Sequence, residues 1–98
     1  MSSLIDILTQ RAPNALVVMA QIIPFTYTDQ NRINYNNDIP GIVADKVAQG
    51  KHVIVVDMST GFPSNDLVAS GNDSVHPNDT GYEFMANQWC EATRSYLP

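Results

Sequence analysis

The stretch Ala15–Ile23, Ala-Leu-Val-Val-Met-Ala-Gln-Ile-Ile, decides which class of fold this chain can adopt. It is almost continuously apolar and is bounded by the turn-forming residues Asn14 and Pro24. A short apolar run between turn residues is typical of a strand buried on both faces. Such strands belong to parallel sheets that are covered by helices. Residues 15–23 therefore predict one strand of a parallel α/β sheet.

A second strand of the same kind is predicted at residues 52–57, His-Val-Ile-Val-Val-Asp. The segment between the strands, residues 30–49, has helical spacing, and its expected buried side chains are Ile33, Ile39, Ile42, Val43 and Val47. Pro40 interrupts this pattern, which predicts a kink or two short helices, the second capped by Asp38. Gly50 is expected to close the helix.

Helices are also predicted at both ends of the chain. Ser2 or Ser3 can cap a short helix that ends before Pro13, with Leu4, Ile5 and Leu8 on one face. Asn78 or Asp79 can cap a helix to about Tyr96, whose apolar stripe is Tyr82, Met85, Ala86, Trp89 and Tyr96. The result is an α/β chain with two strands and three to four helices. Two strands are too few for a stable sheet, so we expect strands to come from another segment or a second copy.

Composition narrows the classes of partner. The 98 residues are 44% apolar and 15% charged, as in an ordinary globular chain, and carry a net charge of −5. This balance gives no electrostatic reason to expect nucleic acid or an anionic membrane as a partner. No apolar run is long enough to span a bilayer, and the first residues do not have the form of a signal peptide. A single cysteine, Cys90, excludes an intrachain disulfide.

The residues with the clearest chemical potential are Asp73 and His76, three positions apart in a polar segment that leads into the last helix. A histidine can take a proton from a hydroxyl nucleophile near neutral pH. A nearby carboxylate fixes its tautomer and stabilises the imidazolium. On spacing alone, a surface histidine beside a turn-forming aspartate remains the simpler interpretation.

The residues that follow favour the catalytic interpretation. His76-Pro77-Asn78-Asp79-Thr80-Gly81-Tyr82, with Met85-Ala86 after it, resembles the last block of SGNH (GDSL-like) hydrolases. The similarity is greatest to the acetylxylan-esterase-like branch, carbohydrate esterase family three. Asn36, Ile39-Pro40 and the two apolar runs also resemble that branch. The resemblance implies a three-layer, flavodoxin-like sheet and an extracellular ester hydrolase without metal or other cofactor. It also implies that His76 is the general base and Asp73 its orienting partner.

Other parts of the SGNH pattern are missing. The sequence has no Gly-Asp-Ser nucleophile block, no second-block glycine and no Gly-x-Asn-Asp block at the expected place. The remaining serines of the polar segment, Ser59, Ser64, Ser70 and Ser74, follow no strand-to-helix turn that would activate them. We therefore expect residues 1–98 to be the C-terminal half of an SGNH domain, inactive alone, with the nucleophile on a missing N-terminal half.

Two functions remain open at this point. The first is the C-terminal segment of an esterase for acetylated carbohydrates or small esters. The second is a non-catalytic truncated module that associates through its open sheet edge. A metal site that combines His52 and His76 with Asp57 or Asp73 fits no standard ligand spacing and is not expected. The acyl and alcohol parts of the substrate, and glycosylation of Asn72 or Asn78, are left open by the sequence.

Overall fold

The predicted order of elements is confirmed by the fold. The structure, a computed structural model, describes residues 1–25, 27–62 and 76–98. Its elements are α1 (Ser2–Arg11), β1 (Val17–Ala20), α2 (Gln30–Ala48), β2 (Val53–Val56), α3 (Asp79–Thr93) and a short 3₁₀ helix (Arg94–Tyr96). None of the described helices combines the length and the apolar character that a membrane crossing requires.

The two strands run parallel, in a register that pairs Val17 with Val53 and Ala20 with Val56. Alternate side chains of each strand point to opposite faces of the sheet. On one face, Met19 and Val53 form a buried cluster with Ile5 of α1 and with Ile39 and Val43 of α2. On the other face, Val56 packs with residues of α3. The described elements thus form three layers, with α1 and α2 on one side and α3 on the other.

The strand β1 is shorter than predicted. Beyond Ala20, the backbone of Ile22 forms its hydrogen bonds with the side chain of Asn36. The N–H of Ile22 donates to Oδ1 of Asn36 over 2.8 Å, and Nδ2 of Asn36 donates to the Ile22 carbonyl over 2.7 Å. The backbone of Ile22 is therefore satisfied by α2 instead of by a neighbouring strand. Burial on both faces was also wrong for most of β1, where Met19 is buried and the other three residues are only partly buried.

The helix α2 runs without interruption through Pro40, so the predicted alternative of two short helices was wrong. Its N-cap is Asp29, whose carboxylate accepts from the N–H groups of Asn31 and Arg32, so the expected cap at Asp38 was wrong. Proline has no N–H and leaves the carbonyl four residues earlier without its helical donor. That carbonyl belongs to Asn36, and Nε2 of Gln21 donates to it over 3.0 Å. An external donor thus replaces the bond that Pro40 cannot make.

Several predicted details of the other helices were corrected. α1 is capped by Met1 without a side-chain hydrogen bond, and Ser2 and Ser3 lie inside the helix. In α3 the predicted stripe is largely exposed, including Tyr82, Trp89 and Tyr96. Of the predicted stripe Met85 does pack against the core, and it is joined there by Phe84 and Ala92, which lie outside the stripe. In α2, Val47 is exposed and Ile33 and Ile42 are only partly buried. Helical spacing identifies amphipathic segments, but the position of the covering layer decides which flank is buried.

The amino-terminal side of the sheet is held by charges. Nζ of Lys46, a nearly buried side chain, lies 2.7 Å from Oδ1 of Asp6, and Lys51 bonds to the same carboxylate. Hydrogen bonds from Lys46 and then from Lys51 hold the pKa of Asp6 below its usual value. Between the two lysines, Gly50 has a φ of +83°, which confirms its predicted place at the end of the helix. The ion pair between Asp6 and Lys46 of α2 fixes which side of α1 faces α2.

Replacing Asn36 with alanine should destabilise the fold more than its size suggests. The change truncates a buried side chain, removes both hydrogen bonds to Ile22 and leaves the N–H and the carbonyl of Ile22 without these partners. We expect the free energy of unfolding to fall by about 2 kcal/mol or more, measured by urea denaturation. The control is Asn37→Ala on the exposed side of the same helix, expected to change it by less than about 0.5 kcal/mol. Equal effects of the two variants would contradict this role of Asn36.

Candidate active site

The carboxyl ends of β1 and β2 lie side by side, because Ala20 pairs with Val56 in the parallel register. Sites in parallel α/β sheets lie beyond these carboxyl ends, where the following loops converge. In this chain the segments that leave the edge begin at Gln21 and Asp57. The N–H of Gln21 donates to the Val56 carbonyl over 3.0 Å, so the two segments are tied together where they leave the sheet.

The direction of helix α3 places His76, which precedes it, beyond this same carboxyl edge of the sheet. Tyr96, after the end of α3, shares a cavity with Leu16 and His52 near the amino ends of the strands. Farther back along the helix, Nε2 of Gln88 donates to the carbonyl of Asp57 over 2.7 Å, at the carboxyl end of β2. Asn78 precedes Gln88 by ten residues, or about 15 Å of helix. The start of α3, and His76 just before it, therefore lie beyond the carboxyl edge.

The backbone around His76 is fixed by the start of the helix. Oδ1 of Asn78 accepts from the N–H of Gly81 over 2.9 Å, and its carbonyl accepts from the N–H of Tyr82 over 2.9 Å. Pro77, between His76 and Asn78, is buried and therefore anchors the chain immediately after His76. His76 itself is exposed. A cavity of about 400 Å³ is lined by residues 77–80 and Tyr82, which follow His76 in the chain. The local sequence thus presents His76 at the surface, immediately before a buried proline and a capped helix start.

A tight turn follows β2 at the same edge. Oδ1 of Asp57 accepts from the N–H of Ser59 over 2.9 Å and from the N–H of Thr60 over 2.8 Å. Partial burial raises the pKa of Asp57, but the hydrogen bonds from Thr60 and Ser59 lower it more, so its pKa lies below the ordinary value. The carboxylate therefore acts as a structural acceptor that shapes the turn.

The lowered pKa of Asp57 makes a testable contribution to acid stability. A carboxyl group whose pKa is lower in the folded state stabilises the fold above its unfolded pKa, and this contribution is lost as pH falls through the folded pKa. We expect Asp57→Asn to be less stable than the parent at pH about 6, with the difference shrinking as the pH falls below the ordinary carboxyl pKa of about 4. Urea denaturation at a series of pH values measures it. A difference that stays constant with pH would contradict the assignment.

Several residues that build this edge were missed by the sequence reasoning. Asn36 was noted only as part of a resemblance, yet it holds both polar groups of Ile22. The hydroxyl of Tyr35 donates to the Ala20 carbonyl over 3.2 Å, which adds a second tie from α2. The sequence feature that could have indicated the role of Asn36 is its position four residues before Pro40, within a helical pattern. Gln88, which links α3 to β2, gave no signal in the sequence.

A second group of side chains lies on the segment after β1. The guanidinium of Arg32 is 5.6 Å from the ring centroid of Phe25, a cation–π distance. The rings of Phe25 and Tyr27 are 5.4 Å apart. Nε of Arg32 and Oε1 of Gln21 are buried without a hydrogen-bond partner within the described ranges. This edge therefore holds aromatic and polar groups beyond those that the sequence motif identified.

Comparison with known protein families shows which family the sequence matches. The model of the GDSL-like lipase/acylhydrolase family matches residues 1–89. The chain belongs to this family. The resemblance that the terminal block indicated is thereby confirmed.

Solved structures similar to this GDSL-like chain share its architecture. The family 3 carbohydrate esterase of Clostridium thermocellum superimposes with a TM-score of 0.83 at 33% identity, over 98% of this chain and 46% of that one. A family 3 carbohydrate esterase from Talaromyces cellulolyticus gives 0.80 at 29% identity, over 93% and 44%. An acetyl esterase, solved as a serine-to-alanine mutant with acetate ion, gives 0.71 at 27%, over 85% and 40%. The predicted α/β class and its three layers agree with these neighbours.

A protein with a similar sequence is also matched over less than half of its own length. A protein of Acetivibrio thermocellus with the provisional name endoglucanase X is 33% identical over 99% of this chain and 42% of its own length. The GDSL-like chain thus spans less than half the length of the relatives and structures that it matches here. The activities of those whole proteins are not transferred to it by the match alone.

The predicted site residues are only partly within the described structure. His76 is described and lies beyond the carboxyl edge, whereas Asp73 lies outside the described residues, so their pairing stays a prediction. Of the serines considered as nucleophiles, Ser59 is half-buried in the turn after β2, and Ser64, Ser70 and Ser74 lie outside the described residues. The structure therefore gives the location of His76, whereas its role as a base and its pairing with Asp73 both stay predictions.

The metal alternative meets a geometric obstacle. His52 precedes β2 and Asp57 follows it, so five residue-to-residue steps of extended chain, about 16 Å, lie between their Cα atoms. These two side chains cannot share one ion. Within residues 1–25, 27–62 and 76–98, no group of three metal-binding side chains comes together.

Proposed function

We propose that this GDSL-like chain supplies the Asp73–His76 pair of a serine ester hydrolase that acts on acetylated carbohydrates or small esters. The main support is the position of His76, exposed beyond the carboxyl edge and held by the Pro77–Asn78 start of α3, within a chain that belongs to the family over residues 1–89. The names of the solved neighbours, two carbohydrate esterases and an acetyl esterase, favour this class of substrate.

In the proposed reaction His76 accepts the proton of a serine hydroxyl as that oxygen attacks the acetyl carbonyl. The tetrahedral intermediate collapses, the ester bond breaks, and His76 returns the proton to the departing alkoxide. A water molecule, deprotonated in turn by His76, then attacks the acyl-serine carbonyl, and acetate leaves as His76 returns this proton to the serine oxygen. Asp73 holds the imidazole in the required tautomer and stabilises its protonated form throughout. This route uses no metal and no other cofactor.

The serine and the oxyanion-hole donors must come from a complementary segment, because the sequence contains no Gly-Asp-Ser and no correctly spaced Gly-x-Asn-Asp. One oxyanion-hole donor contributes about 3 kcal/mol to transition-state stabilisation. Without the nucleophile the covalent route is absent altogether. We therefore expect the 98-residue chain to be inactive alone.

The test is reconstitution. The chain is mixed with the remaining part of the Clostridium thermocellum family 3 carbohydrate esterase, the part that this chain does not match, and acetate release from p-nitrophenyl acetate and acetylated xylan is measured. We expect turnover from the mixture and none from either part alone. Enzyme-like turnover by the 98-residue chain would reveal a nucleophile in it, and a stable complex without turnover would contradict the catalytic proposal.

The second candidate is a non-catalytic module that associates through its open sheet edge with a partner or a second copy. Exposed apolar side chains such as Leu4, Ile7 and Trp89 favour an association of some kind. The two candidates differ in one observable, since a module of this kind forms a complex that hydrolyses no ester. A reading frame that continues upstream of Met1 into a Gly-Asp-Ser segment would favour the enzyme.

A further inference from the structure

An exposed aromatic residue, Tyr27, lies on the segment that leaves β1 at the carboxyl edge of the sheet. Tyr27 follows the end of β1 at Ala20 and precedes the start of α2 at Gln30. It is 51% exposed. Ligands of parallel α/β sheets bind beyond the carboxyl edge, and aromatic side chains commonly line such sites. The hydrolytic steps proposed above do not use Tyr27. It is therefore a candidate contact for a part of the substrate other than the ester.

The helix α2 fixes where this segment lies. The side chain of Asn36 holds the backbone of Ile22, just beyond the end of β1. Arg32 precedes Asn36 by about one turn of α2, so it lies on the same side of the helix and about 6 Å nearer its start. The helix ends on the amino-terminal side of the sheet, where Lys46 bonds to Asp6. The start of α2, and Arg32 with it, therefore lies farther beyond the carboxyl edge than Ile22.

Two ring contacts connect Tyr27 to this part of α2. The guanidinium of Arg32 lies 5.6 Å from the ring centroid of Phe25, and the ring centroids of Phe25 and Tyr27 are 5.4 Å apart, with an angle of 34° between the ring planes. Nε of Arg32 is buried and has no hydrogen-bond partner within the described ranges, so the aromatic contact, and not a hydrogen bond from Nε, holds the guanidinium there. Phe25 is half-buried. Tyr27 is thus the most exposed of the three residues, and the other two support its ring.

A supported and exposed aromatic ring can bind the apolar face of a sugar. The face of the aromatic ring carries partial negative charge. One face of a pyranose consists of C–H groups, which are apolar and slightly positive, whereas its hydroxyl groups point outward. Contact between these two faces buries apolar area and leaves the hydroxyl groups hydrated. Because Phe25 and Arg32 already hold Tyr27, little side-chain freedom is lost on binding. A small aliphatic ester has no comparable face.

Tyr27 and His76 lie beyond the same edge of the sheet. The helix that follows Tyr27, α2, covers one face of the sheet, and the helix that follows His76, α3, covers the other. Both helices start beyond the carboxyl edge, as the hydrogen bonds of Asn36 and Gln88 indicate. A substrate that lies across this edge therefore meets the segment of His76 on one side and Tyr27 on the other.

We infer that Tyr27 binds the sugar ring of an acetylated carbohydrate and thereby makes this GDSL-like site selective for such a substrate over a small aliphatic ester. Two observations carry the inference, the exposure of Tyr27 beyond the carboxyl edge and the support of its ring by Phe25 and Arg32. The inference rests on the proposed function for the reaction itself. It adds the residue that recognises the alcohol part of the substrate.

The first experiment measures sugar binding without hydrolysis. The full 98-residue chain is titrated with acetylated xylo-oligosaccharides, and the dissociation constant is obtained from NMR chemical shifts. Tyr27→Ala should weaken binding by about tenfold, whereas Tyr27→Phe, which keeps the ring, should stay within about threefold of the parent. The matched control is Tyr96→Ala. Tyr96 is 59% exposed but lies near the amino ends of the strands, so binding should stay within about twofold. No saturable binding by the parent chain, or equal binding by Tyr27→Ala and Tyr96→Ala, would overturn the inference.

The second experiment uses the reconstituted mixture and two substrates. Tyr27→Ala should raise KM for acetylated xylan by about tenfold with little change in kcat, and it should keep kcat/KM for ethyl acetate within about twofold. Circular dichroism establishes that the variant is folded, and calorimetry measures its affinity for the complementary part. Equal losses on both substrates, or a loss of assembly, would assign Tyr27 to the fold or to the interface and overturn the inference. A mixture that hydrolyses neither substrate, although sugar binding still depends on Tyr27, would count against the proposed function alone.

Discussion

Replacing His76 with alanine should lower kcat/KM of the reconstituted esterase for p-nitrophenyl acetate by about 10³-fold or more. The imidazole activates the nucleophile and then protonates the leaving group, and removal of a base that acts with its nucleophile as a unit costs at least this much. His76 is exposed before a rigid helix start, so truncating its side chain should leave the fold and the complex intact. Initial rates at saturating complementary segment measure the effect.

The matched control is His52→Ala, which removes an imidazole that is also exposed but lies at the amino end of β2. This variant should keep kcat/KM within about twofold, as a surface substitution away from the site. Similar losses in the two variants would point to a general effect of histidine removal on assembly. Full activity in His76→Ala would show that another group is the base and would refute its assigned role.

The largest expected effect on stability comes from Ile39→Ala. Ile39 is fully buried between α2 and the sheet, in the cluster that contains Ile5, Met19 and Val53. Removing three carbon atoms from a close-packed core loses transfer free energy and leaves a cavity, with a typical cost of about 2–5 kcal/mol. The free energy of unfolding from urea denaturation should fall by that amount.

A residue of the same helix provides the comparison for this variant. Val47 is 53% exposed, and Val47→Ala should change the free energy of unfolding by no more than about 0.5 kcal/mol. If Ile39→Ala were equally mild, the core on this face of the sheet would not be packed as described. Because Ile39 is far from His76 in the chain and makes no polar contact, its variant also separates loss of stability from loss of chemistry.

Part of the site was accessible from sequence because its signals are local. Asn78 caps α3 through a hydrogen bond that spans only three residues, so a polar residue before an apolar helical pattern suffices to predict it. The location of His76 follows from the same cap and from the rule that parallel sheets place their sites at the carboxyl edge. Asn36 was not predictable in its role, because its partner Ile22 lies fourteen residues earlier in the chain.

The sequence by itself determined the order of helices and strands, the parallel pairing that short apolar runs imply, the glycine at the end of α2 and membership of the GDSL-like family. These features depend on periodicity, backbone preference and motif, all of which act over a few neighbouring residues. Only the tertiary structure decided that α2 continues through Pro40, that β1 ends at Ala20, and that α3 packs Phe84 against the core while Trp89 is exposed. Each of these outcomes depends on a donor, an acceptor or a covering layer that a segment distant in sequence supplies. The sequence does not show this segment as a neighbour, because a hydrogen bond or an apolar contact forms only where the fold brings both partners together.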